Sequence, residues 1–367
     1  MKTVMIKRHY AVLSRVLNAK RLSYVTFMAA IMQVGSPLAQ LPVTFENGTP
    51  AKASEVNANF THLMELIKEI QSQTARTLVD CKSNPLALDQ SIERGLKNLT
   101  VDGQCLFNAD WQGRLSIVGA ENGDTARTAT LVGDSNERVG STLHLANLTV
   151  LQSVWMSAGL TILNNVEIKT NLPVGEAVFI NGGEALITES DIRGDVGIRI
   201  REGASVHIRR SNISAISANN IELRTGAFLF SEENEYAENV NADMSNIDSS
   251  QAYFSRDTFL GKGQKLYMSS SLGVFDNPSI PGGTLELPNK IFAHINSDVF
   301  INGGAYSNLE VSTFGGFSKV RIRGEHGRFY DNVFAGVDYG NLIIEGEFQG
   351  DNVRFAGGAG SQILFFA

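Results

Sequence analysis

Between Arg193 and Arg224 the chain carries six arginines (Arg193, Arg199, Arg201, Arg209, Arg210 and Arg224) against three acids, Asp195, Glu202 and Glu222. A guanidinium pairs bidentately with carboxylate or sulfate. Arg199, Arg201 and Arg224, with Asn181, are therefore candidates to bind an acidic sugar. The same residues could instead form salt bridges between neighbouring strands, with Glu189 beside Arg210 as an example. Exposed pairs of that kind stabilise by only ~0–1 kcal/mol each. The next stretch, 225–250, has six acids (Glu232, Glu233, Glu235, Glu238, Asp243 and Asp248) and no Lys or Arg. Glu232-Glu233-Asn234-Glu235 offers oxygen ligands for Ca²⁺, yet lacks the Asp-x-Asp-x-Asp-Gly loop. A solvated corner is the preferred reading there, and no metal site is expected. His62, His144, His207, His294 and His326 are scattered without metal spacing, and His207 is expected at an exposed strand position. No Gly-x-Ser-x-Gly elbow occurs.

Positioning such residues falls to a repeat. Short apolar-alternating runs return every 19 to 25 residues, each followed by polar punctuation. Leu160-Thr161-Ile162 leads to Asn164-Asn165-Val166, and Ala185-Leu186-Ile187 to Ser190-Asp191-Ile192. Ala204-Ser205-Val206-His207-Ile208 leads to Ser211-Asn212-Ile213. Ala227-Phe228-Leu229-Phe230 and Ala252-Tyr253-Phe254 continue the series. Such a period means a solenoid, whose coils bury their apolar faces only by stacking. Aligning 177–181, 197–201 and 220–224 points Val178, Ile198 and Ile221 inward, with Ile180, Ile200 and Leu223. Arg201 and Arg224 then stack outward, Asn181 lies one coil earlier, and Arg199 shares their face. Earlier strands are expected at Leu99-Thr100-Val101, 114–119, 142–145 and 148–150. Leu86, Ile92 and Leu96, with Gly95 close to the end, have rough helical spacing. Two prolines near 278–281 and Pro288 suggest a loop excursion over about 273–290.

On this period and pattern, residues 97–367 resemble the right-handed parallel β-helix proteins of the pectin-lyase-like superfamily. The resemblance implies an all-β solenoid of about a dozen coils, and its enzymes are polysaccharide lyases and glycoside hydrolases. The lyases need calcium-binding acids beside an Arg or Lys base, so a lyase would add Ca²⁺ as cofactor. The hydrolases carry Asn-Thr-Asp, Asp-Asp and Gly-His-Gly. Only Glu325-His326-Gly327-Arg328 is similar to the third, without the carboxylate pair it would need. The stretch from Phe45 to Phe60, containing Asn47-Gly48-Thr49-Pro50 and Glu55-Val56-Asn57-Ala58-Asn59-Phe60, is similar to the N-terminal part of secreted bacterial proteins without a firmly assigned activity.

Residues 1–39 read as a signal peptide. Lys2, Lys7, Arg8, Arg15, Lys20 and Arg21 precede a short apolar run from Leu22 to Val34, and Ala39 stands at the exit. The run is too short to span a bilayer, which takes ~20 residues, and no transmembrane segment is expected in the mature chain. Removing those six basic residues leaves 25 basic against 38 acidic, a net charge of −13. That disfavours nucleic acid. Cys81 and Cys105 are the two cysteines. In an oxidising compartment such a pair reads as a disulfide, worth roughly 3 kcal/mol for a loop of about 25 residues.

The domain reading is then 1–39 signal peptide, 40–75 lead and amphipathic helix, and 76–367 β-helix. Within the lead, Val56, Phe60, Leu63, Ile67 and Ile70 make an a/d seam over about 54–73. This helix either oligomerises as a coiled coil or caps the first coil. The functional expectation is an exported, periplasmic or extracellular, non-catalytic protein that binds polysaccharide or cell-surface glycan, or serves as a scaffold. The alternative is a lyase or hydrolase of acidic polysaccharide. A stacked acid pair facing Arg199, Arg201 or the 273–290 loop would favour the enzyme, and a face of small polar residues the binder. The coiled-coil reading makes the full chain a dimer or trimer by light scattering, falling to monomer with Phe60→Asp. A monomeric mass for both proteins would leave only the capping reading.

Overall fold

The computed structural model describes residues 75–120, 128–133, 141–170, 175–237, 245–261, 264–281, 289–302, 305–306, 309–314, 318–324, 328–329, 334–337, 341–346, 354–357 and 361–366. The expected signal peptide, the 54–73 helix and the 325–327 motif lie outside them. Arg76–Ala367 forms one compact unit. The described residues are mostly strand (63%), wound as a right-handed parallel β-helix of about nine turns. That is fewer than the dozen obtained by dividing length by period. Coils step by 18 to 28 residues, and the ten-stranded sheet begins only at Val154–Ser157. Among the described residues, no helix is long and apolar enough to cross a membrane.

Three faces surround one core. A 23-stranded sheet bends to supply two of them. Strand Leu160–Lys169 spans that bend, pairing through its first half with Glu184–Thr188 and through its second with Asp191–Gly194. The ten-stranded sheet is the third face. All pairing is parallel and in register, so one inward column of the first face runs Leu163, Ile187, Ile208, Ser231, Phe254, Phe275 and Ile301. On the third face Val178 pairs with Ile198 and Ile198 with Ile221, while Ile180 pairs with Ile200 and Ile200 with Leu223. All six are buried, as alternation requires. Each fully buried aliphatic side chain contributes roughly 1.5–3 kcal/mol.

The corners obey a simple rule. Where the first face turns into the second, one residue per coil takes the left-handed conformation: Asn165 (φ 52°), Glu189 (51°), Arg210 (47°), Glu233 (55°), Arg256 (55°) and Asn277 (51°). For non-glycine residues this costs roughly 1–2 kcal/mol. The following residue offsets part of that cost. Val166 N–H donates to Ser190 Oγ (3.1 Å), Ser190 N–H to Ser211 Oγ (3.1 Å), Ser211 N–H to Asn234 Oδ1 (2.8 Å) and Asn234 N–H to Asp257 Oδ1 (2.7 Å). This buried ladder aligns Val166 with Ser190, so the polar punctuation of the first repeat is two residues out of step with the sequence alignment.

Three further expectations change. Residues 273–290 are not one excursion, because Leu272–Asp276 and Ser279–Ile280 continue the faces. Pro278 sits in the corner column, where its fixed φ is tolerated. A strand at Thr77–Asp80 precedes the expected first one. The helical spacing near 86–96 gives a short α-helix, Ala87–Glu93, which buries Leu88 and Ile92. Gly95 follows it at φ 83°. Beside this helix Cys81 and Cys105 form the disulfide, with Cα atoms 5.1 Å apart.

The corner ladder carries a titratable group. Asp257 is fully buried, and its Oδ2 has no hydrogen-bond partner among the described residues. Burial pushes its carboxyl up to about 7, against donation from the Asn234 N–H. An unfolded Asp titrates near 3.9. Between those values the folded chain holds a proton that the unfolded chain has lost. Stability therefore falls as pH rises from about 4 to about 7, by of order 4 kcal/mol. Asp257→Asn keeps the acceptor for Asn234 N–H and removes the titration. The variant should melt higher than the parent at pH 8, with the gap closing toward pH 4. A constant gap across that range would contradict this assignment.

Candidate functional site

The third face brings the sequence candidates together. Its central outward column runs Trp155, Phe179, Arg199, Glu222, Asn246, Tyr267 and Phe292. Beside it Ser157, Asn181 and Arg201 stack in register. Arg224 follows the third-face strand Ile221–Leu223. The in-register ladder sets residues of one column ~4.8 Å apart, so Arg199 lies directly against Glu222 of the next coil.

Glu222 is the centre of the cluster, and sequence reading had counted it only as one acid among three. Its side chain is 3% exposed. Arg199 Nε donates to Glu222 Oε2 at 2.8 Å, and another Arg199 nitrogen pairs with Glu176. Arg224 Nε pairs with Glu222 Oε1, and Arg201 Nη2 stands 3.6 Å from the same oxygen. A buried carboxylate is tolerated only when paired, and here three guanidiniums share that duty. The available signal was the alignment itself, which sets Glu222 opposite Arg199 once the strands are stacked.

The four candidates are not equivalent. Arg199 is sandwiched between two carboxylates. Arg201 is held loosely, its guanidinium carbon 5.9 Å from the centre of the Phe179 ring and its Nε without an acceptor among the described residues. Phe179 meets Trp155 edge to face at 5.4 Å, and Trp155 is 39% exposed. Asn181 lies beside Arg201. The face thus combines aromatic surface with cations that exceed the local carboxylates by one. Glu176 and Glu222 do form an acid pair facing Arg199. A general acid or base must exchange protons freely with its substrate, whereas these two are closed by ion pairs.

Elsewhere the outward charges are also spent between coils. Arg210 meets Glu189 at 2.9 Å. Arg256 bonds Glu232 at 2.6 Å and Glu233 at 2.8 Å, so the acidic run is a corner with its own cation. His207 faces outward as expected but is half-buried, with its ring 4.8 Å from Phe230. Burial lowers its pKa most, with Arg209 adding and Glu232 opposing. Ser116 Oγ stands 2.9 Å from His144 Nδ1 and accepts from Arg76 Nη2 at 3.0 Å. Burial, then Arg76 and Arg114, lower the His144 pKa, which favours the neutral ring. Ser116 is buried, and the trio ties three coils together rather than offering a nucleophile. Among the described residues no group of three or more His, Cys, Asp or Glu comes together to hold a metal.

The fold and this face define a parallel β-solenoid with a cationic, aromatic-edged outer surface. No protein-family model, curated protein or solved structure matches the chain.

The cluster makes its arginines unequal in a measurable way. Arg199→Ala strands buried Glu222 and should cost about 2–3 kcal/mol in urea denaturation, below the 3–5 of a fully buried pair because Arg199 is partly exposed. Arg201→Ala should cost less than about 1 kcal/mol. Equal losses would contradict this division of roles.

Proposed function

We propose that this chain is an exported, non-catalytic β-helix protein of the pectin-lyase-like type that binds an acidic glycan across its third face. The observation that carries this reading is the contrast between Arg199, committed to two carboxylates, and Arg201, whose partly exposed guanidinium stands 3.6 Å from Glu222 and beside Phe179 and Asn181. A uronate or sulfate group would take the Arg201 and Arg224 donors, while the Trp155 and Phe179 edge would bury part of the sugar's apolar surface. Glu222 would keep the guanidiniums ordered before the ligand arrives, which lowers the entropy cost of binding.

Export is supported by the basic-then-apolar N-terminus, by the disulfide, and by the acidic balance of the rest of the chain. An acidic protein gains little from bulk attraction to a polyanion, so recognition must come from a local cationic face. The second reading, a lyase or hydrolase on the same face, draws on the Glu176 and Glu222 pair around Arg199.

The test is affinity electrophoresis of the full chain through gels containing acidic or neutral polysaccharides, at rising salt. Retention by an acidic polysaccharide should weaken with salt. It should fall about tenfold or more when Arg201 and Arg224 are both replaced by Ala, the loss of one or two charge-assisted hydrogen bonds. Retention that is indifferent to both substitutions would remove the third face from the account.

A further inference from the structure

A second surface has different chemistry. Where the third face turns into the first, the corner residues Ser249 (φ 50°), Ser270 (φ 49°) and Asn296 (φ 56°) stack outward. They border a shallow cleft of about 310 Å³. In earlier coils the same corner carries Gly203 and Gly226, which add no side chain. The floor is rigid. Ser250 N–H donates to Ser271 Oγ (3.2 Å), Ser271 N–H to Ser297 Oγ (3.4 Å) and Ser297 N–H to Ser318 Oγ (3.4 Å). Ser250 Oγ donates in turn to Asp248 O, and Ser271 Oγ to Ser269 O. These serines are spent on the fold and are not ligand contacts.

What remains facing the cleft is Gln251, Asn296 and Asp298. None of their side chains makes a hydrogen bond among the described residues. Gln251 and Asp298 stand in one column with Leu272 between them, so they are two strand spacings apart, ~9.6 Å. That gap admits one sugar ring lying over the Leu272 side chain. We propose that this cleft binds a neutral sugar, held through adjacent hydroxyls. A carboxylate accepts two hydroxyl protons at once, and the two amides both donate and accept. The Leu272 side chain takes the C–H side of the ring, the usual division of labour in a ligand site. No Lys or Arg lines the cleft. Lys319 neighbours Asp298 in the next coil but is not part of the lining, so an anionic ligand in the cleft would meet the Asp298 carboxylate, which separates this site from the arginine face.

The inference does not depend on acidic-glycan binding. The experiment is saturation-transfer NMR on the full chain with neutral oligosaccharides: glucans, mannans, galactans and chitin fragments. At least one should bind, and its affinity should hold between low salt and 0.5 M NaCl, about the range over which exposed charge interactions are lost. Asp298→Ala should weaken binding about tenfold or more, Gln251→Ala should weaken it less, and Arg201→Ala should leave it unchanged. Circular dichroism of each variant checks that the fold persists, and Asp298→Asn offers a near-isosteric substitute that should also lose affinity. The proposal is overturned if no member of this set binds, if Asp298→Ala and Asp298→Asn bind as the parent does, or if binding vanishes with salt.

Discussion

Everything in this molecule follows from one constraint: each strand must hydrogen-bond in parallel register to the same face of the coil before it. A residue therefore has as its neighbours the residues one coil away in its own column, about 4.8 Å above and below. Inward columns become aliphatic because only stacked apolar side chains exclude water along the whole axis. Outward columns become sequences of forced contacts, in which like charges would repel at close range. The chain answers with alternation. Glu189, Arg210, Glu233 and Arg256 succeed each other up one corner. Arg199 and Glu222 do so on the third face.

This constraint bears directly on function. Charges that look available in a linear sequence are largely consumed by coil-to-coil pairing, and what is left over is informative. On the third face the remainder is Arg201, the most loosely held of three guanidiniums arranged around a carboxylate that water hardly reaches. At the other corner it is Gln251, Asn296 and Asp298 around the Leu272 side chain. Both sit on frames whose backbone donors are satisfied by the next coil, which suits recognition of a repeating ligand laid along the axis. The interior shows the cost of breaking the pattern. Ser231 replaces an aliphatic residue in its column, and its hydroxyl lies 2.6 Å from that of buried Tyr236. Phe254, Phe259 and Phe275 fill the space above. Asp257 closes the side-chain ladder at the coil before Pro278, leaving one carboxylate oxygen unsatisfied.

Much of this was legible in the sequence where period and alternation alone decide the outcome. The inward sets Val178, Ile198, Ile221 and Ile180, Ile200, Leu223 follow from a two-residue period. The common face of Asn181, Arg199 and Arg201 follows from the same alignment. The cysteine pair followed from compartment and count. Two of the misreadings share a cause, which is that the residue types at the corners change from coil to coil. The two-residue slip at Val166 arose because an asparagine or serine next to a corner marks the turn without saying which side of it one stands on. The prolines near 278 read as breakers because the corner column that accommodates Pro278 is defined only by the coils on either side. Thr77–Asp80 was missed because an end coil buries one residue, Val79, too few for a pattern. Glu222 as a hub, and the Asp298 cleft, depend on distances between coils, which no single repeat encodes.

The central claim is that the third face recognises an acidic glycan without transforming it. It is met most directly by incubating the purified chain with acidic polysaccharides, with and without Ca²⁺, and following binding together with unsaturated products and new reducing ends. The account predicts bound polysaccharide of unchanged length, with neither product accumulating. Appearance of unsaturated ends, or of reducing ends alone, would contradict it and make the Glu176, Arg199 and Glu222 cluster the machinery of a lyase or a hydrolase.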